Sequence, residues 1–520
     1  MKKLLILFFL TSAVNANCQD WPVKKMVTDA RARGVNFTNI PAFSFIANRS
    51  LNGRGVYQEL SLNNSFRQQL LEQRPAAITL TIPVNGNQSI TCELVKFSLG
   101  NLKFTQNNDA VVENIKLPVT YRGIVAGELN KNTVTLTVNE DYLSLVAAMP
   151  GKAIQIAQAD ENNPSVYRLY NSAQVVFPAA LPPQCGTQKN EVSQTSNGIQ
   201  LNGVMANPSA FNDKCVNVFV DCFDSLFIKR NSNYQQTVNY VYELFNLVAT
   251  GFYNDTVNIQ VTGVNVWTVP DNFRNSTSKL AVYDLGAYWQ DNFFGNLCIG
   301  LDFTALPIGR GGRAGDIGRI KAVSTNTCPA YNAADSLSAC VYADLNFNGN
   351  TLGFPTGLNV TGPQVLVTMH EIGHQLGSRH THWCGWKLSS NPDVYGAIDS
   401  CAAPEGNCPK GLPPPPSGGT IMSYCHLDTL EFVNYNKGFG NLPGTAIRNF
   451  IDQSACLLLC TDCFGMLNFK GYTNTYAYQR NPISPMRKPN DIWHGKPGPP
   501  ALIRSGNEEK HTLNPQSIRQ

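Results

Sequence analysis

Apolar and polar positions along the chain fall into distinct regimes. From residue 17 to about 205 the apolar residues come in short runs broken by Asn and Gly, among them Ala77 to Pro83, Gly123 to Gly127 and Thr133 to Val138. The last alternates apolar with polar, the period of a half-buried strand, so this part is expected to be all β. Near 206 the pattern changes. Cys215 to Cys222 alternates, with Val216, Val218 and Val220 on one face. Ser232 to Phe252 repeats apolar residues at three and four positions (Val238, Val241, Phe245, Val248, Phe252), and Val257 to Val261 alternates again. Strand, helix, strand predicts a right-handed crossover in a largely parallel sheet. A further helix is predicted from Thr361-Gly362-Pro363, where proline suits the first turn, into the apolar run Val365 to Met369. Gln188 to Asn202 is polar and reads as a linker. Residues 464–520 are rich in Pro, Asn, Lys and Arg without periodicity, and a mostly disordered tail is expected there.

The helix that starts at Pro363 runs into the chemistry. His370-Glu371-Ile372-Gly373-His374-Gln375-Leu376-Gly377-Ser378-Arg379-His380 reads H-E-x-x-H-x-x-G-x-x-H and uses three of the chain's seven histidines. His370 and His374 are one helical turn apart, so both imidazoles face one side, a spacing that suits zinc. Glu371 can reach a metal-bound water without ligating, as a general base for attack on a carbonyl. Gly377 permits a left-handed exit from the helix, and His380 then returns as third ligand. Three protein ligands leave a fourth position open, the pattern of a catalytic site for one Zn2+ ion.

Composition narrows the setting. The chain has 520 residues, 43% hydrophobic and 15% charged, with a net charge of +4. That is long enough for two or three domains, and no clustered basic face suggests nucleic acid. Lys2, Lys3, the apolar run Leu4 to Val14, and Val14-Asn15-Ala16 read as a signal peptide over residues 1–16. That run is too short for a membrane anchor, which needs about 20 apolar residues, and no other segment reads as transmembrane. A secreted, extracellular protein is expected. Fifteen cysteines then read as a disulfide framework, three before residue 200 (Cys18, Cys92, Cys185) and twelve after it. The second group is even and able to pair within itself; the first is odd.

Other motifs add less. Arg310 to Gly318 is Gly-rich but lacks a phosphate-binding lysine, and reads as a turn beside an edge strand. Asp344 to Gly349 opens like a calcium loop, yet the twelfth position is Pro355 where a bidentate glutamate belongs, so calcium has weak support and Asn348-Gly349 is more simply a tight turn. His382 and His426 are expected in the walls of the site rather than among its ligands.

Taken with its zinc helix, the segment Thr420-Ile421-Met422-Ser423-Tyr424 gives the chain the look of a metzincin zinc metalloprotease, with Met422 as the Met-turn methionine. The strand–helix–strand of 214–268 resembles the start of a secreted reprolysin (adamalysin/ADAM-type) catalytic domain, and the region around Tyr121 to Tyr170 resembles that family's β-rich propeptide. The resemblance covers roughly residues 40–463. It departs from the reprolysin pattern at Thr381, which stands where an aspartate follows the third histidine and is closer to pappalysins. Tyr424 follows the serralysin and astacin habit, in which this tyrosine touches zinc or the tetrahedral intermediate. It is therefore a candidate transition-state stabiliser, the alternative being a buried tyrosine of the turn.

The family also implies latency. Pro183-Gln184-Cys185-Gly186-Thr187 resembles the Pro-x-Cys-Gly cysteine switch, in which a prodomain thiolate fills the open zinc position. The alternative is a disulfide from Cys185 to Cys18 or Cys92. What the resemblance implies is an α/β protein: a metzincin catalytic domain (twisted mixed sheet, zinc helix, irregular lower lobe) over 206–463, preceded by an all-β propeptide with linker over 17–205. The expected activity is zinc-dependent hydrolysis of peptide bonds in protein or peptide substrates, held in check by the propeptide as intramolecular inhibitor. A non-catalytic adhesive module on the same scaffold and a pappalysin-type protease are the alternatives; the intact Glu371 argues against the first.

Overall fold

The computed structural model describes residues 21–51, 55–85, 88–159, 163–172, 174, 185–187, 213–289, 293–304, 311–320, 339–346, 362–390, 392–414, 416–427 and 433–460. The expected signal peptide, the expected linker after residue 187, the expected tail, Pro183-Gln184, most of the calcium-like loop, and Cys18, Cys328 and Cys463 lie outside these residues.

The N-terminal region is built on a ten-stranded sheet. Its neighbours are antiparallel except where Phe37–Asn39 runs parallel to Ala77–Asn85. Alternation places Val134, Leu136 and Val138 inward, and these meet Leu80, Leu94, Tyr121, Leu145 and Ile156 in one core. Two helices, Pro22–Ala32 and Asn64–Gln73, accompany the sheet. The alternating pattern gave no sign of them; the first starts on a proline and the second on the Asn63 side chain, which accepts from the Ser65 amide.

The second sheet has seven strands and carries the site. Its middle is parallel: Cys215–Cys222 lies between Asn258–Val266 and Leu297–Asp302, and Cys340–Asp344 continues beyond the latter. The helix Tyr234–Asn254 connects the first two of these strands, as the period change predicts. Gly312–Ala314 closes one side as an antiparallel edge strand on Cys340–Asp344, so the Gly-rich stretch supplies the edge strand itself. The site helix, Gly362–Gln375, joins the same core: Val365, Leu366, Met369, Ile372 and Leu376 bury with Val241, Phe245 and Val341.

Beyond Gln375 the chain has little regular structure and is fixed by cross-links instead. Cys384–Cys408 and Cys401–Cys425 pin the lower lobe, and Cys215–Cys460 ties the first strand of this sheet to the chain after the helix Asn441–Gln453. Cys456 is also disulfide-bonded. Pairing in the second cysteine group is nevertheless incomplete, because Cys222 and Cys340 are buried free thiols. No described helix is long and apolar enough to cross a membrane.

Candidate active site

The site helix ends in a Schellman turn. Gly377 adopts φ +94°, its N–H donates to the His374 carbonyl at 2.9 Å, and the Ser378 N–H donates to the Gly373 carbonyl at 3.0 Å. A side chain at Gly377 would be strained there and would press on Phe450. The turn sends the chain back so that His380 faces His370 and His374. Ring centroids stand 4.4 Å (His374–His380), 4.8 Å (His370–His374) and 5.1 Å (His370–His380) apart.

Each imidazole is oriented through its Nδ1. His370 Nδ1 donates to the Ile421 carbonyl, His374 Nδ1 to the Ser378 carbonyl, and His380 Nδ1 to the Glu405 carboxylate, all at 2.8 Å. These partners only accept, so the protons sit on Nδ1 and the three Nε2 atoms present lone pairs. His374 Nε2 and His380 Nε2 lie 3.0 Å apart, and His370 Nε2 is buried with no hydrogen-bond partner. Two bare lone pairs at that separation repel, and a buried orphan acceptor is costly. A cation between them satisfies all three. Burial, and next to it the neighbouring rings, holds His370 and His374 well below the usual imidazole range; burial also lowers His380, against the raising effect of Glu405. Neutral imidazoles are the form that binds a metal. The Cys185 sulfur completes the set, with all four ligand atoms within 4.8 Å of one another. Three nitrogens and a sulfur suit zinc.

Glu371 is fully buried beside the cluster. Burial pushes its carboxyl up to about 7, against hydrogen bonds from Cys185 and Thr187 that lower it. Its Oε2 accepts from the Thr187 hydroxyl at 3.1 Å. Gly312 of the edge strand packs on Glu371 so closely that a Cβ there would collide with the glutamate side chain.

Residues 185–187 lie along that edge strand. The Gly186 N–H donates to the Gly312 carbonyl at 2.7 Å, the Arg313 guanidinium donates to the Gly186 carbonyl, and the Ala314 N–H donates to the Thr187 hydroxyl at 3.0 Å. The Thr187 N–H reaches the Cys185 sulfur at 3.3 Å. Cys185 is not in a disulfide, and neither is Cys92, which is buried in the N-terminal core.

The Met-turn lies beneath the cluster. Ser423 N–H and Oγ close it onto the Thr420 carbonyl at 3.0 and 2.7 Å. Met422 is fully buried, and its sulfur packs where Gly373 leaves room on the helix. The turn also carries two fixed carbonyls: that of Ile421 holds His370, and that of Met422 accepts the Thr381 N–H at 3.1 Å. Thr381 thus fastens the chain after the third histidine to the turn. Tyr424 stands 4.7 Å from both His380 and His382, ring to ring, and its hydroxyl donates to the Cys185 carbonyl at 3.3 Å. His382 stacks on His380 at 4.8 Å, and His426 lies 6.0 Å from Tyr424. Asp344 is buried with its carboxylate taken up by the Thr304 N–H and hydroxyl and the Asn346 N–H.

Sequence reasoning missed Glu405 and Arg313. Glu405 accepts from His380 Nδ1 at 2.8 Å and lies 3.5 Å from His382 Nε2. Burial raises its carboxyl, but the two histidines outweigh this and hold it well below the usual carboxylate range. It belongs to no motif. The available signal was that it is the sole carboxylate between Cys401 and Cys408, in a loop fixed at both ends.

Three imidazoles converging on one point beside a buried carboxylate, on a helix under a mixed sheet, define a metallohydrolase-type centre. Residues 212–430 match the family model Reprolysin_5, described as metallo-peptidase family M12, and the protein is a metzincin-like zinc metalloendopeptidase. Such an enzyme takes peptide substrates. The chain is similar over 64% of its length to metalloproteinase-II from Bacteroides fragilis, covering 89% of that chain at 11% identity and a TM-score of 0.35. It is also similar over 47% of its length to a chain from a chaperone–substrate complex, covering 35% of it at 12% identity and a TM-score of 0.26. At these scores neither likeness defines fold or function. No match was found among curated proteins.

Proposed function

We propose that the protein is a secreted zinc endopeptidase made as a zymogen: His370, His374 and His380 hold one zinc ion, Glu371 is the general base, and residues 185–187 of a propeptide close the site. The observation that carries this reading is the seat of Cys185–Thr187, with sulfur beside three imidazole lone pairs and the Thr187 hydroxyl on Glu371. Secretion is supported by the disulfides and by the leader pattern of residues 1–16.

A zinc ion bound there supplies an acidified water at neutral pH and positive charge for a developing oxyanion. The chain's own residues do the rest. A substrate strand adds to the Gly312–Ala314 edge, as Gly186 does in the latent chain, with Arg313 holding a backbone carbonyl. Glu371 takes the proton of the attacking water and returns it to the leaving amide nitrogen as the C–N bond breaks. The Tyr424 hydroxyl, which donates to the Cys185 carbonyl here, donates instead to the substrate carbonyl oxygen.

Metal analysis with peptide hydrolysis tests the reading. Processed protein should hold one zinc per chain, lose all hydrolysis on treatment with phenanthroline, and regain it with added zinc. Full activity in metal-free protein sinks the proposal.

Glu405 positions His380 in this scheme. Glu405→Ala should weaken metal retention by about 10- to 100-fold, because the ring loses the acceptor that fixes its tautomer. Glu405→Gln, which keeps an acceptor, should lose less. Chelator competition followed by metal analysis measures both; equal retention in wild type and alanine variant would show that Glu405 does not position the ligand.

A further inference from the structure

The N-terminal region is more than a cover on the cleft. After the strand Gln88–Phe97 the chain leaves its own sheet, crosses to the peptidase sheet, and returns only at Val119–Val125. On the way Lys103–Gln106 pairs in parallel with Asn258–Val266, and Ala110–Val111 folds back on it as the outermost strand. The Val261 N–H donates to the Leu99 carbonyl at 2.7 Å, and the Asn107 N–H to the Val266 carbonyl at 3.1 Å. Asn265 is fully buried, and its Oδ1 accepts from the Asn108 N–H at 2.8 Å and the Thr105 hydroxyl at 3.0 Å. Phe97, Leu99 and Phe104 belong to the same apolar core as Val216, Val218, Phe245 and Met422.

A second set of contacts lies on the helix Tyr234–Asn254. Asn246 donates to the Leu136 carbonyl at 3.1 Å and the Thr137 hydroxyl at 2.8 Å, all buried. The buried Arg122 guanidinium sits 3.4 Å from the Phe97 ring centroid and 4.8 Å from that of Tyr253. None of these bonds depends on the covalent chain between 188 and 212. Were the N-terminal region to leave, Asn258–Val266 would become an open edge, Asn265 would lose its donors, and one side of the peptidase core would meet water.

We propose that the N-terminal domain is a permanent, non-covalent subunit of the mature peptidase. Cutting the linker leaves residues 185–187 on a free C-terminal end, able to lift from the cleft, while the domain stays in place, because it supplies two strands of the catalytic sheet. The proposed processing is used only to say where the chain is opened; continued association does not depend on the peptidase chemistry.

The test starts from the full chain with a recognition sequence for a site-specific protease inserted between Gly198 and Ile199. After complete cutting, both fragments should co-elute on gel filtration in equal amounts at the position of the uncut chain, and separate only in denaturant. A folded C-terminal fragment eluting alone in native buffer overturns the proposal. Gly100→Val in the same chain deepens the test. Gly100 has φ +134°, and a Cβ there would lie 2.5 Å from the Val261 carbonyl oxygen. The cut variant should come apart at a lower urea concentration than the cut parent; an unchanged midpoint counts against strand sharing as the source of association. Fragments that stay together without any gain of hydrolysis would sink the zymogen reading and leave this one standing.

Discussion

Glu371→Ala is expected to keep its zinc and lose peptide hydrolysis by about 10²- to 10⁴-fold or more. The three imidazoles are oriented by Ile421, Ser378 and Glu405 and not by Glu371, so the metal set is expected to survive the change. What disappears is the buried carboxylate beside the cluster that is proposed as the base. The variant should also loosen the plug, since the Thr187 hydroxyl loses its acceptor. Metal content and hydrolysis are therefore compared on parent and variant cut to the same extent in the linker. A zinc-loaded Glu371→Ala enzyme with substantial turnover would remove Glu371 from the mechanism.

Cys185→Ser is expected to convert a latent precursor into an active one without any cut. The thiol is buried against Glu371, and burial together with that carboxylate pushes it well above its ordinary range. An ionised sulfur is stable there only with a compensating cation, which the neighbouring imidazoles would hold. A serine hydroxyl is a far poorer ligand for zinc, so the fourth position opens to water. Some restraint remains, because Gly186 still pairs with Gly312 and Arg313. The uncut variant should thus hydrolyse small peptides without processing, at a rate below that of the processed enzyme. An uncut variant as silent as the uncut parent shows that the backbone contacts alone enforce latency.

The helix carrying His370, Glu371 and His374 was legible because each demand is local. One turn separates two ligands, and one glycine ends the helix. The strand–helix–strand from Cys215 was legible for the same reason: its periodicity depends only on which face is buried. Glu405 was not, because its role comes from a disulfide-fixed loop that brings it to His380 from 25 residues away, past the hairpin Trp386–Ser390 and Asp393–Gly396. Nor was the strand Lys103–Gln106. Four residues are too few to show a period, and its partner lies more than 150 positions away in sequence. Thr381 reads in sequence as a departure from the reprolysin pattern, yet its backbone makes the bond that fastens the third histidine to the Met-turn. A backbone bond is indifferent to side-chain identity, which is why the substitution leaves the geometry in place.

The cross-links of the lower lobe bear on how firmly the third ligand is held. Cys384–Cys408 brackets Glu405, and Cys401–Cys425 ends one residue after Tyr424. Two helical histidines form with the helix, whatever the surroundings. The third depends on Glu405, which is held inside the Cys384–Cys408 loop and by the bonds from the Glu405 N–H to the His382 carbonyl and from the Cys384 N–H to the Glu405 carbonyl. The two disulfides therefore reinforce the side of the centre that the helix does not build.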